Sequence, residues 1–240
     1  MRHLLLFVLI PATCLVQAAT VSSVLIPSKV MKRDVPASVI LPDSYESGTE
    51  TYPALYLLHG AGGTHTSWAK QAKRLDLANQ FNIIIVSPDG SPKSWYFDSP
   101  VDPEFQFETH VADEVVNYID QHYRTKAKRQ HRALCGNSMG GHGSLFLAIR
   151  HKETFGTAVA LSAGVDIRPF PDNWDIKNRI GTIEEHPENW EELTVINQIK
   201  SLKNGELNIS LDCGEGDFFI EVNRACLLYT SDAADDPTLV

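Results

Sequence analysis

The sequence has few cysteines, fewer basic than acidic residues, and no internal repeat. It contains 4 Cys, 21 Lys and Arg, and 30 Asp and Glu in 240 residues, which gives a formal net charge of −9. The basic residues are scattered apart from a cluster at 126–129, so the chain lacks the basic stripe that binds a nucleic-acid backbone. No group of side chains has metal-ligand spacing. We therefore expect no nucleic-acid partner, no cofactor and no catalytic metal.

The first 18 residues have the pattern of a cleaved export signal. A positive start at residues 1–3 precedes an apolar run over residues 4–15 that is too short to span a bilayer, and small residues follow at 16–19. Cys14 lacks the context of a lipoprotein signal. We expect a secreted or periplasmic product with no membrane attachment after cleavage.

The other end, residues 226–240, resembles the translation of a sequencing-library adapter. Such a segment does not belong to the native fold, and this one shows no strand or helix periodicity. We therefore expect one folded domain over residues 19–225, interrupted rather than finished at its C-terminal end.

Short apolar runs alternate with amphipathic segments along this domain. The runs at 54–58 and 83–86 are apolar throughout, which is typical of strands covered on both faces. The alternation predicts an α/β fold with a mostly parallel sheet and helices on both faces. The predicted strands are Val35–Leu41, Ala54–Leu58, Asn82–Val86, His131–Cys135, Thr157–Leu161 and Leu207–Leu211, and the predicted helices are Glu108–Tyr123, Gly141–His151 and Val195–Leu202.

The segment 166–190 interrupts this alternation and is interpreted as an insertion over one rim of the sheet. It carries Phe170, Trp174 and Trp190. Surface packing and a lid or acyl-pocket wall are equally compatible with it.

A serine in the run Gly-Asn-Ser-Met-Gly at 136–140 is the strongest candidate for a nucleophile. A sharp turn from strand to helix exposes a serine hydroxyl above a sheet only if its neighbours are small, and Gly136 and Gly140 flank Ser138 at that spacing. A predicted strand precedes the run and an apolar helix follows it. Ser138 is therefore the predicted nucleophile.

A glycine-rich loop supplies candidate donors for the oxyanion that forms when such a serine attacks an ester. The run His-Gly-Ala-Gly-Gly at 59–63 follows an apolar strand and lacks the order of a phosphate-binding loop. We predict the Ala61 and Met139 N–H groups as the oxyanion pair. Gly60, Trp68, Trp95 and Tyr96 lie in or beside loops at the predicted strand ends and are candidate substrate contacts, with core packing as the alternative for the aromatics.

A carboxylate is expected to follow the serine in the chain and to orient a catalytic histidine. Three candidates, Asp212, Glu215 and Asp217, follow the predicted strand at 207–211. The sequence pattern alone does not separate them.

These motifs together resemble the esterase D family of α/β-hydrolases. The resemblance rests on Gly-Asn-Ser-Met-Gly-Gly-His-Gly at 136–143, the loop at 59–63 and Asp-x-Gly-x-x-Asp-Phe at 212–218, and it covers residues 20–225. It implies an α/β-hydrolase fold, C-terminally truncated here, with Asp217 as the catalytic acid and Asp212 holding the loop. In that fold one strand separates Cys135 from Cys213 by about 9 to 10 Å, too far for a disulfide.

The chain departs from this family at the catalytic histidine, which is expected after the acid, whereas no histidine follows His186. His59, His110 and His142 are weak substitutes. His59 is expected to shape its loop, and His142 is expected to pack against the strand-to-helix turn that carries Ser138, called the elbow below. We therefore expect little turnover from the chain as written.

The predicted function is that of a secreted serine ester hydrolase acting through an acyl-enzyme, on acyl or feruloyl esters of carbohydrates or on small ester substrates. An acyltransferase of the same fold and a non-catalytic carbohydrate-binding protein are the alternatives. The choice of substrate rests on analogy within the family.

Overall fold

The computed structural model of the chain describes residues 20–227, so both the predicted export signal and residues 228–240 of the predicted adapter-derived tail lie outside the described residues. Seven strands form one sheet in this part of the chain. They are β1 (Thr20–Ser28), β2 (Arg33–Leu41), β3 (Ala54–Leu58), β4 (Ile84–Pro88), β5 (Arg132–Asn137), β6 (Thr157–Leu161) and β7 (Asn208–Asp212).

The strand order is β1-β2-β4-β3-β5-β6-β7. β1 pairs antiparallel with β2, and β2 pairs antiparallel with β4, whereas all pairs from β4 to β7 are parallel. The carboxyl ends of the parallel strands therefore meet at one edge. The prediction of a mostly parallel sheet is confirmed.

Ten α-helical segments surround the sheet in the described residues: α1 (Ser44–Ser47), α2 (His65–Arg74), α3 (Leu77–Phe81), α4 (Phe107–Thr109), α5 (Val116–His122), α6 (Met139–Arg150), α7 (Ile176–Ile180), α8 (Pro187–Glu192), α9 (Val195–Gln198) and α10 (Ile220–Leu227). A π-helical segment, His110–Val115, joins α4 to α5. Short 3₁₀ turns lie at Arg129–His131 and Ile199–Ser201.

Helices cover both faces of the sheet, as the sequence predicts. On one face Leu57 of β3 and Ile85 of β4 pack against Ala69 and Ala72 of α2. The alternate residues of the same strands, such as Tyr56, contribute to the larger core on the other face, which includes α5 and α6. This two-sided burial explains why the sequence of these strands is apolar without alternation.

Several predicted elements shift or divide in the structure. The helix predicted over Glu108–Tyr123 consists of α4, the π-helical segment and α5, and the helix predicted from Val195 ends in a 3₁₀ turn. Segment 166–190 contains α7 and α8, and its Trp190 is buried with Nε1 donating to Gly181 O at 3.1 Å. This part of the insertion is packed into the core rather than laid over it.

The ends of the described chain add two further facts. Cys226 and Leu227, assigned from the sequence to the non-native tail, form the end of α10, and Cys226 is buried. Cys135 on β5 and Cys213 beyond β7 are separated by β6 and are both free, as expected. No helix within residues 20–227 is long and apolar enough to cross a membrane.

Candidate active site

Ser138 lies in the turn between β5 and α6 with an unusual backbone conformation. Its φ is 54° and its ψ is −118°, a region that residues with a side chain rarely adopt and that costs of order 1 to 3 kcal/mol. Its N–H donates to Leu161 O of β6 at 2.9 Å, and its carbonyl accepts from His142 N at 2.9 Å. The strained turn is thus held by the neighbouring strand and by the first turn of α6.

Two glycines are required by close approaches between backbones at this turn. A Cβ added to Gly140 would lie 2.6 Å from the carbonyl carbon of Leu58 and closer still to its oxygen. A Cβ added to Gly136 would overlap the Gly140 carbonyl and lie 2.8 Å from Leu58 O. Glycine is therefore required at positions 136 and 140, because the backbones of β3, β5 and α6 pack there too closely to leave room for a Cβ.

The predicted oxyanion loop lies directly against the serine. Leu58, the last residue of β3, is in register with Gly136, so the loop that follows β3 meets the elbow at the carboxyl edge of the sheet. A Cβ added to Gly60 would lie 3.5 Å from Ser138 Cβ. The Ala61 N–H belongs to this loop, whereas the Met139 N–H is the first of α6 and has no intrahelical partner. The loop that carries Ala61 and the turn that carries Met139 therefore meet beside Ser138. The oxyanion role of their two N–H groups stays a prediction.

His59 fixes the conformation of this loop. It is fully buried, and its Nδ1–H donates to Gly60 O at 2.9 Å while its Nε2 accepts from Gly90 N at 2.9 Å. Burial lowers the pKa of His59, which favours the neutral tautomer that these two bonds require. Tyr96 Oη donates to His59 O at 3.1 Å. Both ring nitrogens are engaged, as expected of a residue that shapes its loop.

The three candidate carboxylates occupy the same edge, two strands from the elbow. Asp212 ends β7 in register with Leu161, and its carbonyl accepts from Ser162 N at 2.7 Å. Asp212 and Glu215 are exposed, whereas Asp217 is half-buried and its Oδ1 accepts from Phe219 N at 2.8 Å. Asp217 therefore has the most ordered carboxylate of the three.

His142 packs under the elbow, as the sequence suggests. It is fully buried, with Nδ1–H donating to Gly164 O at 3.1 Å and its ring stacked on Phe146. The edges of Trp95 and Phe97 complete its aromatic surroundings. Burial lowers its pKa to about 4, and Nε2 faces no hydrogen-bond partner among the described residues.

The remaining histidines with recorded contacts pair with other groups. None of the histidine hydrogen bonds found in residues 20–227 reaches Ser138. The pairs are His65 with Asp89 (3.3 Å), His110 with Glu114 (2.8 Å), His122 with Tyr118 O (2.8 Å), His151 with Glu108 (2.9 Å) and His186 with Glu188 (3.4 Å).

Comparison with known proteins identifies the family. A model of the putative esterase family matches residues 28–233. The chain belongs to this family. Membership assigns ester hydrolysis as its general activity, and the sheet order and helices above are those of an α/β-hydrolase.

Among curated relatives, this esterase is 24% identical over 216 residues to an acetyl esterase of Caldicellulosiruptor saccharolyticus, covering 82% of this chain and 80% of that enzyme. It is 36% identical over 135 to 141 residues to esterase Rv1288 of Mycobacterium tuberculosis and to an endo-1,4-beta-xylanase/feruloyl esterase of Xylanibacter ruminicola. These matches cover 55% and 53% of this chain but only 29% and 19% of the two relatives.

Among solved structures, a ferulic acid esterase has a TM-score of 0.75 and 28% identity, with 90% of this chain and 86% of that chain covered. This likeness extends over nearly the whole described domain.

The structure corrects the role predicted for two aromatic residues of this esterase. Trp95 and Tyr96 are 1% and 0% exposed, so they offer almost no surface to a substrate. Tyr96 fills the space over Gly90 and Gly143, where an added Cβ would meet its ring. Both residues have the packing role that the sequence left as the alternative.

Trp68 and Gly60 differ from this pair. Trp68 is half-buried on α2 and its Nε1 donates to Leu58 O at 2.9 Å, so its polar edge is already engaged by the end of β3. Gly60 lies beside Ser138 Cβ, and a Cβ added to Gly60 would lie 3.5 Å from it. Of the four predicted contacts, Gly60 is the one that lies at the serine itself.

The structure joins two segments into an aromatic cluster beside Asp217. Phe170 and Trp174 belong to the segment 166–190, for which the sequence left surface packing and a lid or acyl-pocket wall open, whereas Phe218 and Phe219 had no predicted role of their own. We call the rings of Phe170, Trp174, Phe218 and Phe219 the aromatic shelf. Adjacent rings in it lie 5.1 to 5.7 Å apart. The signal available in the sequence was the density of aromatics at 170–174 and 218–219, which becomes meaningful only once the fold joins the two segments.

Proposed function

We propose that this esterase cleaves carboxylic esters through an acyl-enzyme on Ser138. The observation that carries the proposal is the elbow, where a half-buried serine is held in a strained turn beside the glycine-rich loop at 59–63. Attack by Oγ on the ester carbonyl would place negative charge on the carbonyl oxygen, where the Ala61 and Met139 N–H groups stabilise it. Release of the alcohol leaves the acyl group on Ser138, and water then hydrolyses it.

Asp217 is the proposed orienting acid. Its carboxylate is anchored at the carboxyl edge of the sheet, separated from the elbow by β6 alone. An imidazole between the two would accept the serine proton and be oriented by the acid. Because the side-chain hydrogen bonds and ion pairs of the histidines in residues 20–227 are made to groups other than Ser138, we propose that this chain turns over slowly.

The proposed substrate is an ester that joins an acyl or feruloyl group to a carbohydrate, and the proposed location is the periplasm or the extracellular space. The activities of the relatives, acetyl esterase and feruloyl esterase, support the first proposal. The pattern of the first 18 residues supports the second.

Covalent labelling tests the nucleophile without requiring full turnover. The protein is incubated with p-nitrophenyl acetate, and the acetylated peptide is located by mass spectrometry. We expect one acetyl group on Ser138, none there in Ser138→Ala, and unchanged labelling in Ser47→Ala, a control at an exposed serine on α1. Acetylation of Ser138→Ala at the wild-type rate and stoichiometry would contradict the proposal.

Added imidazole tests the base. We expect it to accelerate p-nitrophenol release by the wild type more than by Ser138→Ala, which measures the background reaction of imidazole with the ester. Equal acceleration of the two proteins would show that no base is limiting at Ser138.

A non-catalytic binding function is the second candidate, favoured by the engagement of the histidines elsewhere. It predicts that Ser138→Ala binds the substrate like the wild type and that neither protein is acetylated. The labelling experiment therefore separates the two functions.

A further inference from the structure

The aromatic shelf presents an apolar surface at the edge of the sheet that carries the candidate site. Phe218 follows Asp217 directly and is 64% exposed, whereas the next residue, Phe219, is 5% exposed. Phe170 and Trp174 are half-buried and contact both phenylalanines. The Phe218 ring is thus exposed to solvent on one side and packed against the other three rings of the shelf.

One buried side chain joins the shelf to the nucleophile elbow. The Trp95 ring lies 5.9 Å from that of Trp174 on the shelf side and 5.3 Å from that of His142 on the elbow side. Its Nε1 donates to Trp174 O at 3.3 Å. Since His142 is in the first turn of α6 after Ser138, the shelf and the serine belong to one continuous packed unit.

The backbone behind the shelf is strained at two adjacent pairs of residues. Trp95 and Tyr96 have φ values of 57° and 61°, and Trp174 and Asp175 have values of 49° and 59°. Left-handed conformations of bulky residues cost energy and cluster at functional sites. The two pairs also contact each other through Trp95 and Trp174, and Asp175 Oδ2 accepts from Lys93 Nζ at 2.6 Å. The observed position of Trp174 therefore depends on backbone conformations that are energetically unfavourable.

We propose that the aromatic shelf binds a flat aromatic ring of the ester substrate, with Phe218 as the exposed stacking partner. This inference rests on the proposed function, because it assigns a specificity surface to the same site. An exposed ring backed by other rings favours a planar π-system, which gains stacking in addition to apolar contact. The occupant is the ring-bearing part of an ester, on the acyl or the alcohol side, since the shelf is continuous with the elbow and with Asp217.

Binding of free ferulate, measured by isothermal titration calorimetry, tests the shelf without catalysis. We expect Phe218→Ala to weaken binding by about three- to tenfold, the range of a lost aromatic stacking pair. Phe218→Trp should restore it, and Phe218→Leu should not. Phe81→Ala is the matched control, because Phe81 on α3 is 66% exposed and lies outside the shelf.

A kinetic arm finds the side of the ester that uses the shelf. Acylation of Ser138 is followed with vinyl cinnamate, phenyl acetate and vinyl acetate, which carry the ring on the acyl side, on the alcohol side and on neither side. Phe218→Ala should slow acylation by one of the two aromatic esters several-fold more than acylation by vinyl acetate. Wild-type ferulate affinity in Phe218→Ala, or no ferulate binding by the wild type, would overturn the proposal.

The two proposals fail separately. Ser138→Ala should still bind ferulate, so binding that depends on Phe218 without acylation of Ser138 would reject the nucleophile and keep the shelf. Acylation of Ser138 with no effect of Phe218 on binding would do the reverse.

Discussion

The elbow and the loop at 213–217 that carries Asp217, here called the acid loop, lie at the same edge of the sheet but are held in opposite ways. At the elbow, residues Met139–Ile149 of α6 are all buried, and the glycines are enclosed by backbone atoms of β3. At the acid loop, β7 has no fully buried residue, and added Cβ atoms at Gly214 and Gly216 would meet nothing within 4 Å. The nucleophile is positioned by packing and the acid by a few local hydrogen bonds.

The site therefore combines a nucleophile fixed by core packing with an acid fixed by local hydrogen bonds. The strained backbone at Ser138 persists because the surrounding structure leaves it no alternative. Asp217 depends on the turn closed by its own N–H to Gly214 O at 2.9 Å and on its bond to Phe219 N. Substitutions at the two places should therefore differ in kind as well as in size.

The largest difference in unfolding free energy is expected between a methyl group added at Gly140, in the elbow, and one added at Gly214, in the acid loop. Gly140→Ala should lower the free energy of unfolding by at least about 3 kcal/mol, because its Cβ collides with the Leu58 backbone. Gly214→Ala should change it by less than about 1 kcal/mol, since the space is open. Urea unfolding measures both. Equal losses of unfolding free energy in the two variants would contradict the distinction between a closely packed elbow and an open acid loop.

A second prediction concerns pH and the buried imidazole under the elbow. The folded-state pKa of His142 is about 4 against an ordinary value of 6.5, so the unfolded chain takes up a proton first as the pH falls. The His142 contribution is unaffected above about pH 6.5, and about 3 kcal/mol of stability is lost on going down to pH 4.

The variant His142→Phe isolates that contribution. It removes the proton site and keeps an aromatic ring among Trp95, Phe97 and Phe146. Its unfolding free energy should fall less steeply than that of the wild type between pH 6.5 and 4, whatever the constant offset between the two proteins. Parallel pH profiles would mean that His142 is hydrated or charged in the folded state.

A smaller effect is expected at Asp217. Asp217→Ala removes the acceptor of the Phe219 N–H and should cost about 1 kcal/mol, the usual size of a lost capping bond. Asp217→Asn keeps an acceptor and should stay within about 0.5 kcal/mol of the wild type. If imidazole accelerates Ser138-dependent hydrolysis equally in both variants and in the wild type, Asp217 has no role beyond its turn.

The smallest difference between the two regions is expected in the rates at which the thiols of Cys135 and Cys213 are alkylated. Burial raises the pKa of Cys135 to about 11, whereas burial followed by the charge of Asp217 raises that of Cys213. Iodoacetamide at pH 8 should therefore modify Cys213 before Cys135. Asp217→Asn should accelerate modification of Cys213 and leave Cys135 unchanged. Faster reaction of Cys135 than of Cys213 would contradict the prediction and show that the thiol on β5 is the more accessible of the two.

The sequence predicts best what depends on local backbone geometry. The turn around Ser138 is visible because its glycines stand within two residues of the serine, and the strands at 54–58 and 157–161 are predicted at their observed bounds. The apolar runs of strands covered on both faces carry a strong local signal.

Elements with weak apolar periodicity are missed or altered. β1 was not predicted, because Ile26 and Ser28 alone are buried in it. α2 buries only Ala69 and Ala72, which give little amphipathic contrast. The π-helical segment at 110–115 retains apolar residues on the core side, so the sequence pattern does not distinguish it from an α-helix.

The candidate acid and the aromatic residues depend on tertiary structure. The sequence pattern does not separate three carboxylates within six residues, and only the family resemblance favours Asp217. They differ physically when the loop exposes Asp212 and Glu215 and partly buries Asp217. Trp95 and Tyr96 follow a strand like rim residues, yet their left-handed backbone turns both rings into the core. Neither outcome follows from spacing along the chain.

The close approach of Gly140 to Leu58 also has a consequence for the order of folding. The two residues are far apart in sequence, so their contact belongs to the non-local pairings that form slowly. The strained φ at Ser138 has its full support, the hydrogen bond to Leu161 O and the Gly140–Leu58 contact, only when β6 and β3 both lie beside β5. An intermediate with α6 formed but β3 undocked would carry an ordinary serine, and reactivity of that hydroxyl would appear only when the central strands have assembled.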